Sequence, residues 1–127
     1  LGRTEPSLLA AAGESCPTFP KESFSALAAP GFLDALREQE IDHLLIAGVE
    51  GPICIHQTAV HAQAEGLGVT ILSDAVGARR MEDQRVAFDA LVRAGVHLLP
   101  VETVLYALMG GADHPRFREV AGLVKKG

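Results

Sequence analysis

Basic clusters, long apolar runs and paired cysteines are all scarce in this chain. Of its 127 residues, 11 are Lys or Arg against 16 Asp or Glu, and the formal net charge is −5. Basic residues adjoin only at Arg79-Arg80 and Lys125-Lys126. That is too little for a positively charged face, so no nucleic-acid partner is expected. No apolar stretch approaches the roughly 20 residues that cross a bilayer, and no membrane partner is expected either. The opening residues lack the charged and apolar blocks of a signal peptide. Two cysteines, Cys16 and Cys54, do not make a disulfide framework, so a reducing, cytoplasmic setting is the expectation. Metal motifs are missing as well. His56 and His61 are five positions apart, on different faces of a helix, and His43, His97 and His114 are scattered, with no HExxH or CxxC pattern. Gly66-Leu67-Gly68 breaks off before a dinucleotide fingerprint is complete and precedes a strand rather than a helix. Neither a metal nor a nucleotide cofactor is expected.

What is present is a core. Apolar residues make up 48% of the chain, and the length suits a single domain over residues 1–127. Residues 1–20, with Pro6, Gly13, Pro17 and Pro20, read as loop with one helical turn near Leu8-Leu9-Ala10-Ala11-Ala12. Pro30 opens a helix that shows Phe32, Leu33 and Leu36 on one face and ends near Glu40. Residues 41–47 form a buried strand, and 54–65 a helix stopped by Gly66 and Gly68. Val69 to Leu72 is a second strand ending at Ser73-Asp74. Met81 to Ala94 is an amphipathic helix, with Val86, Leu91 and Ala94 inside. Val96 to Leu99 is a third strand. Residues 102–109 and 115–126 make two last helices, separated by Gly110-Gly111. Strands that alternate with helices in this way give an α/β fold, a parallel sheet with helices on both faces. Three strands are few for such a sheet, and the first residue is Leu1. A piece of a longer chain is therefore expected.

Among the reactive side chains, Cys54 stands out. It follows the strand-like Leu44-Leu45-Ile46-Ala47 and the turn Gly48-Val49-Glu50-Gly51-Pro52, at the start of a helix. A thiol there faces the crevice at the carboxyl end of the sheet and feels the positive end of the helix dipole, which favours thiolate. An inert core cysteine is the plain alternative. Lys21, in Pro20-Lys21-Glu22-Ser23-Phe24-Ser25, can stabilise a nearby thiolate; a solvated lysine paired with Glu22 is the plain alternative. Asp74 either lines the crevice or, by the stronger reading, caps the turn after the second strand. Arg79-Arg80 is too short for a phosphate site.

The stretch from Ala47 to Ala59, Ala-Gly-Val-Glu-Gly-Pro-Ile-Cys-Ile-His-Gln-Thr-Ala, resembles the nucleophile segment of the isochorismatase-like cysteine hydrolases. The similarity runs on through Gly68-Val69-Thr70-Ile71-Leu72-Ser73-Asp74-Ala75, Ala94-Gly95-Val96 and His114-Pro115-Arg116-Phe117-Arg118-Glu119-Val120. Upstream, residues 1–4 and 21–26 are similar too, and the whole pattern is closest to the isochorismatase-domain-containing subgroup. The resemblance implies a Rossmann-like three-layer sandwich built on a six-stranded parallel sheet. It implies a catalytic triad of Asp, Lys and Cys, with Cys54 as nucleophile and Lys21 as the lysine. The backbone N–H groups of Glu50 and Cys54 fall on the oxyanion hole. The Val49–Glu50 bond falls where many members have a cis peptide. The triad aspartate belongs to an N-terminal strand that this chain lacks, so a gap in the sheet is expected. Gly51-Pro52 replaces a site that is often Thr or a similar polar residue.

The function implied by the resemblance is hydrolysis of small amides or carbamoyl compounds, with a small-molecule substrate and an aspartate from outside this chain. Isochorismate itself is disfavoured, since members acting on that vinyl ether need no cysteine nucleophile. A non-catalytic binding or scaffold protein on the same fold is the alternative, and a thiol redox sensor a weaker third. A homo-oligomer is expected, with Val104, Leu105, Tyr106, Leu108, Phe117 and Leu123 available either for an interface or to cover the sheet.

Overall fold

In the computed structural model, which describes residues 2–125, three parallel strands lie in the order β1-β2-β3. They are β1 (His43–Val49), β2 (Gly68–Gly77) and β3 (His97–Leu99). Six α-helices frame them: α1 (Pro6–Ala12), α2 (Phe32–Glu38), α3 (His56–Ala64), α4 (Met81–Arg93), α5 (Val101–Met109) and α6 (Phe117–Val124). A 3-10 turn occupies Ala26–Ala28, and one π-type turn, Gly51–Ile55, joins β1 to α3.

Apolar alternation fixes which face is covered. Ile46 of β1 and Val69 and Ile71 of β2 point to one side, where α3 brings Ala59 and Ala62 and α4 brings Phe88 and Leu91. Val96 and Leu27 complete that cluster. Helix α5 lies against β2 with Val104 buried outside the cluster, which supplies the third layer. The sheet is thus parallel and helix-flanked, as the residue pattern implies.

Several boundaries differ from those expected from the residue pattern, each for a local reason. The first helix does not begin at Pro30: Gly31 takes a left-handed φ of 77°, so the chain turns there and α2 starts at Phe32. The helical turn expected near Leu8–Ala12 is present and starts earlier, as α1 from Pro6, because Pro6 occupies a first-turn position and Glu5 accepts from the Ser7 and Leu8 N–H groups. Strand β2 continues five residues past Leu72, since Val76 and Gly77 pair with Gly48 and Val49. In α4, Gln84, Phe88 and Leu91 are the buried positions; Val86 is 57% exposed and Ala94 is exposed outside the helix. The i, i+4, i+7 set Gln84-Phe88-Leu91 carries the core face, so the phase expected from Val86 was wrong. Lys126, expected in the last helix, lies outside the described residues.

Strand β1 is an edge among the described residues, and its outward-alternating positions are open: Leu45 is 50% and Val49 58% exposed. The accessible surface is 8874 Å², against about 6,500 Å² for a closed monomer of this mass. Leu45 and Val49 contribute apolar area to that excess. No described helix is long and apolar enough to cross a membrane.

Candidate functional site

Where β1 ends, the backbone reverses through an unusual turn. The Val49–Glu50 peptide bond is cis, and Gly48 before it has φ 125°. The carbonyl of Glu50 accepts from the N–H groups of Ile53 and Ile55, which winds residues 51–55 into the π-type turn. Cys54 sits in that turn, two residues before α3 rather than at the helix start expected for it, half-buried and not disulfide-bonded. Its place at the carboxyl end of a parallel strand agrees with the general location of sites in open α/β sheets.

A cavity of about 610 Å³ opens beside this turn, with Lys21, Val49, Cys54, Phe19, Phe24 and Arg3 in its lining. Lys21 and Cys54, expected to act together, do share this cavity. The lysine ammonium is nevertheless bound to its own loop, donating to the carbonyls of Ser23 (2.7 Å) and Phe24 (3.1 Å). Glu22 also lines the cavity, and among the described residues no Lys21–Glu22 ion pair is formed. A second hollow of about 540 Å³ runs from Lys21 and Phe19 past Ala47 of the exposed β1 face.

Glu50 is not in the cavity lining. It accepts from Arg79 twice, at 3.1 Å from Nε and 3.2 Å from the backbone N–H, so Arg79 is tied to the cis-peptide turn. Asp74 does not cap the turn that follows it. It lies inside β2, and its carboxylate accepts from Val101 N–H at 2.9 Å, at the first residue of α5. His43 meets Thr70 Oγ1 at 2.9 Å and stacks near His97, with 6.4 Å between ring centroids, at the opposite end of the strands from Cys54. No three His, Cys, Asp or Glu side chains converge among the described residues.

Three positions that the residue pattern did not single out shape the site. Thr58 is buried and bridges the Lys21 loop to α3, accepting from Ala26 N–H at 2.9 Å and donating to the Cys54 carbonyl at 2.7 Å. Ser25 Oγ lies 2.9 Å from His61 Nδ1. Gln84 of α4 is buried against Gly51, and its Oε1 has no hydrogen-bond partner among the described residues. The signal for Thr58 was available: a Thr four residues after a helix-opening residue can return a bond to that carbonyl. Gln84 gave none, since a polar residue in an amphipathic helix reads as surface.

Residues 4–103 match the family described as "Isochorismatase domain". Isochorismatase domain-containing protein 2 from Bos taurus is 35% identical over 127 residues, covering 99% of this chain and 60% of that protein. The solved structure of MAR1 ribonuclease from Caenorhabditis elegans is similar with TM-score 0.88 and 35% identity, over 98% of this chain and 63% of that one. A nicotinamidase from Bacillus subtilis matches with TM-score 0.60 and 30% identity, over 62% of this chain and 44% of that one. The chain spans less than two thirds of these relatives, and only 38% of some curated ones.

Proposed function

This chain belongs to the isochorismatase-domain family, and on that premise we propose that it carries the nucleophile of a cysteine hydrolase acting on small amides or carbamoyl compounds. One observation carries the reading: Cys54 is half-buried at the strand-to-helix turn and lines the same cavity as Lys21. The nicotinamidase neighbour, an amide-cleaving enzyme by its name, supports the substrate class.

In this mechanism the Cys54 thiolate adds to the substrate carbonyl, and the N–H groups of Glu50 and Cys54 stabilise the oxyanion. Lys21, in the lining of the same cavity, supplies the positive partner of the attacking sulfur. An aspartate from a segment outside this chain takes the thiol proton and passes it to the leaving amine as the C–N bond breaks, which leaves a thioester on Cys54. Water then attacks the thioester, with the same carboxylate as base, and frees the acid.

A scaffold without turnover is the second reading, favoured by the Lys21 bonds to Ser23 and Phe24. The ribonuclease name of the Caenorhabditis elegans neighbour favours RNA as a rival substrate; the net charge of −5 speaks for a small substrate instead. Iodoacetamide labelling resolved by peptide mass spectrometry decides between hydrolase and scaffold. At pH 7, Cys54 is expected to react about tenfold faster than exposed Cys16, as an activated nucleophile does. Equal rates, or a slower Cys54, would rule out the nucleophile.

A further inference from the structure

We propose that Thr58 is a positioning residue, which sets the Lys21 loop against Cys54 through its hydroxyl, with Ser25 and His61 as a second tether. The inference rests on the hydrolase reading above and concerns how its two charged groups are kept in range of each other. Lys21 and Cys54 come from segments 33 positions apart, and Lys21 lies in no strand or helix. Something other than the sheet must therefore hold its loop.

The hydrogen bonds trace one route. Lys21 Nζ is bound to the carbonyls of Ser23 and Phe24, and Ser23 Oγ donates to the Ser25 carbonyl at 2.9 Å. The loop is thus folded around its own ammonium. From there Ala26 N–H reaches Thr58 Oγ1, and the same hydroxyl donates to the carbonyl of Cys54. Thr58 is 6% exposed, so water cannot replace it readily. One buried hydroxyl is used in both directions, as acceptor from the loop and as donor to the nucleophile's own backbone. Ser25 reinforces the contact: its hydroxyl accepts from Leu27 N–H at 3.2 Å and meets His61 Nδ1 one turn further along α3. Leu27, buried at 3% exposure, pins the same loop into the core.

Valine has the shape of threonine without either hydrogen bond, whereas serine keeps both. Thr58→Val is therefore expected to slow Cys54 alkylation by iodoacetamide at pH 7 about fivefold, the effect of losing the bond from Ala26 N–H that holds the loop. Thr58→Ser is expected to stay within about twofold of the parent, and Cys16 in the same molecule serves as the unaffected reference. Because Thr58 is assigned to act through Lys21, its effect must vanish in a Lys21→Met background. Ser25→Ala is the second variant, expected to slow Cys54 in the same Lys21-dependent way, and it carries the test if Thr58→Val does not fold by circular dichroism. Folded variants that alkylate Cys54 at the parental rate, or that slow it equally with Met at position 21, overturn the positioning role. A parental Cys54 no faster than Cys16 overturns the hydrolase reading instead, so the two failures are separate.

Discussion

Gly51 has no room for a β-carbon. One placed there would lie 2.9 Å from Gln84 Cδ and closer still to its Oε1, and Gln84 is buried at 6% exposure with little space to retreat. Gly51→Ala is expected to cost about 1–3 kcal/mol by overpacking, read as a lower denaturant midpoint. Gln84→Ala in the same chain should recover most of that loss, whereas additive losses would show that the contact is not the cause. Legibility at this scale divided by residue. Cys54 could be singled out because it is a thiol at a strand-helix turn, and Lys21 because the family pattern marks it. Gln84 could not, because its importance comes from a glycine 33 positions away in sequence, and no local pattern reports that proximity.

Among the elements, α1 shows how much a cap can do where packing does little. None of its residues is buried, so its helical state leans on Glu5, which accepts from the Ser7 side chain and from the N–H groups of Ser7 and Leu8. Those bonds, the Ser7 side chain first, hold the Glu5 carboxyl below its ordinary range. A depressed carboxylate contributes stability above its unfolded pKa and loses it as pH falls through the folded value. Helix α1 is therefore expected to be intact near neutrality and to fray under acid, with Glu5→Gln fraying it already at pH 7. Amide exchange of residues 8–12 measures this, and pH-independent exchange there would contradict it. Helix α4 rests on packing instead, and Phe88→Ala is expected to cost about 3–5 kcal/mol, measured by denaturant unfolding. The sequence marked the extent of α4 well, since acidic residues in its first turn and Gly95 beyond it are local signals. Its phase was misread because Val86 looked like core and Gln84 like surface. The end of β2 was also misplaced: Ser73-Asp74 resembles a stop, while the pairing that prolongs the strand involves Gly48 and Val49, far away in the chain.

For the whole molecule, the alternation of strands and helices was enough to give a parallel, helix-flanked sheet, since that order has few alternative topologies. The open side of β1 was legible only through family resemblance. Physically it is a seven-residue edge, His43–Val49, with no Asp, Glu, Lys, Arg or proline, and edges of this kind invite pairing with another chain. At micromolar concentration this chain is expected to self-associate, giving a scattering mass above 13.4 kDa. Leu45→Lys, at an exposed position on that strand, is expected to shift the mass to the monomer. A monomeric parent chain would contradict the expectation.

Strand β2 also sets limits on change in length. Ile46 pairs with Ile71, and the next pair is Gly48 with Val76, so β2 carries four residues through a gap that β1 crosses with one. Those four residues include Asp74, which fastens the start of α5, and the strand then returns so that Gly77 lies close beneath Val49. Lengthening or shortening this detour by a single residue would shift either the aspartate or the shoulder beneath Val49. Insertions and deletions in descendants of this sequence should accordingly gather in other loops and spare residues 72–75.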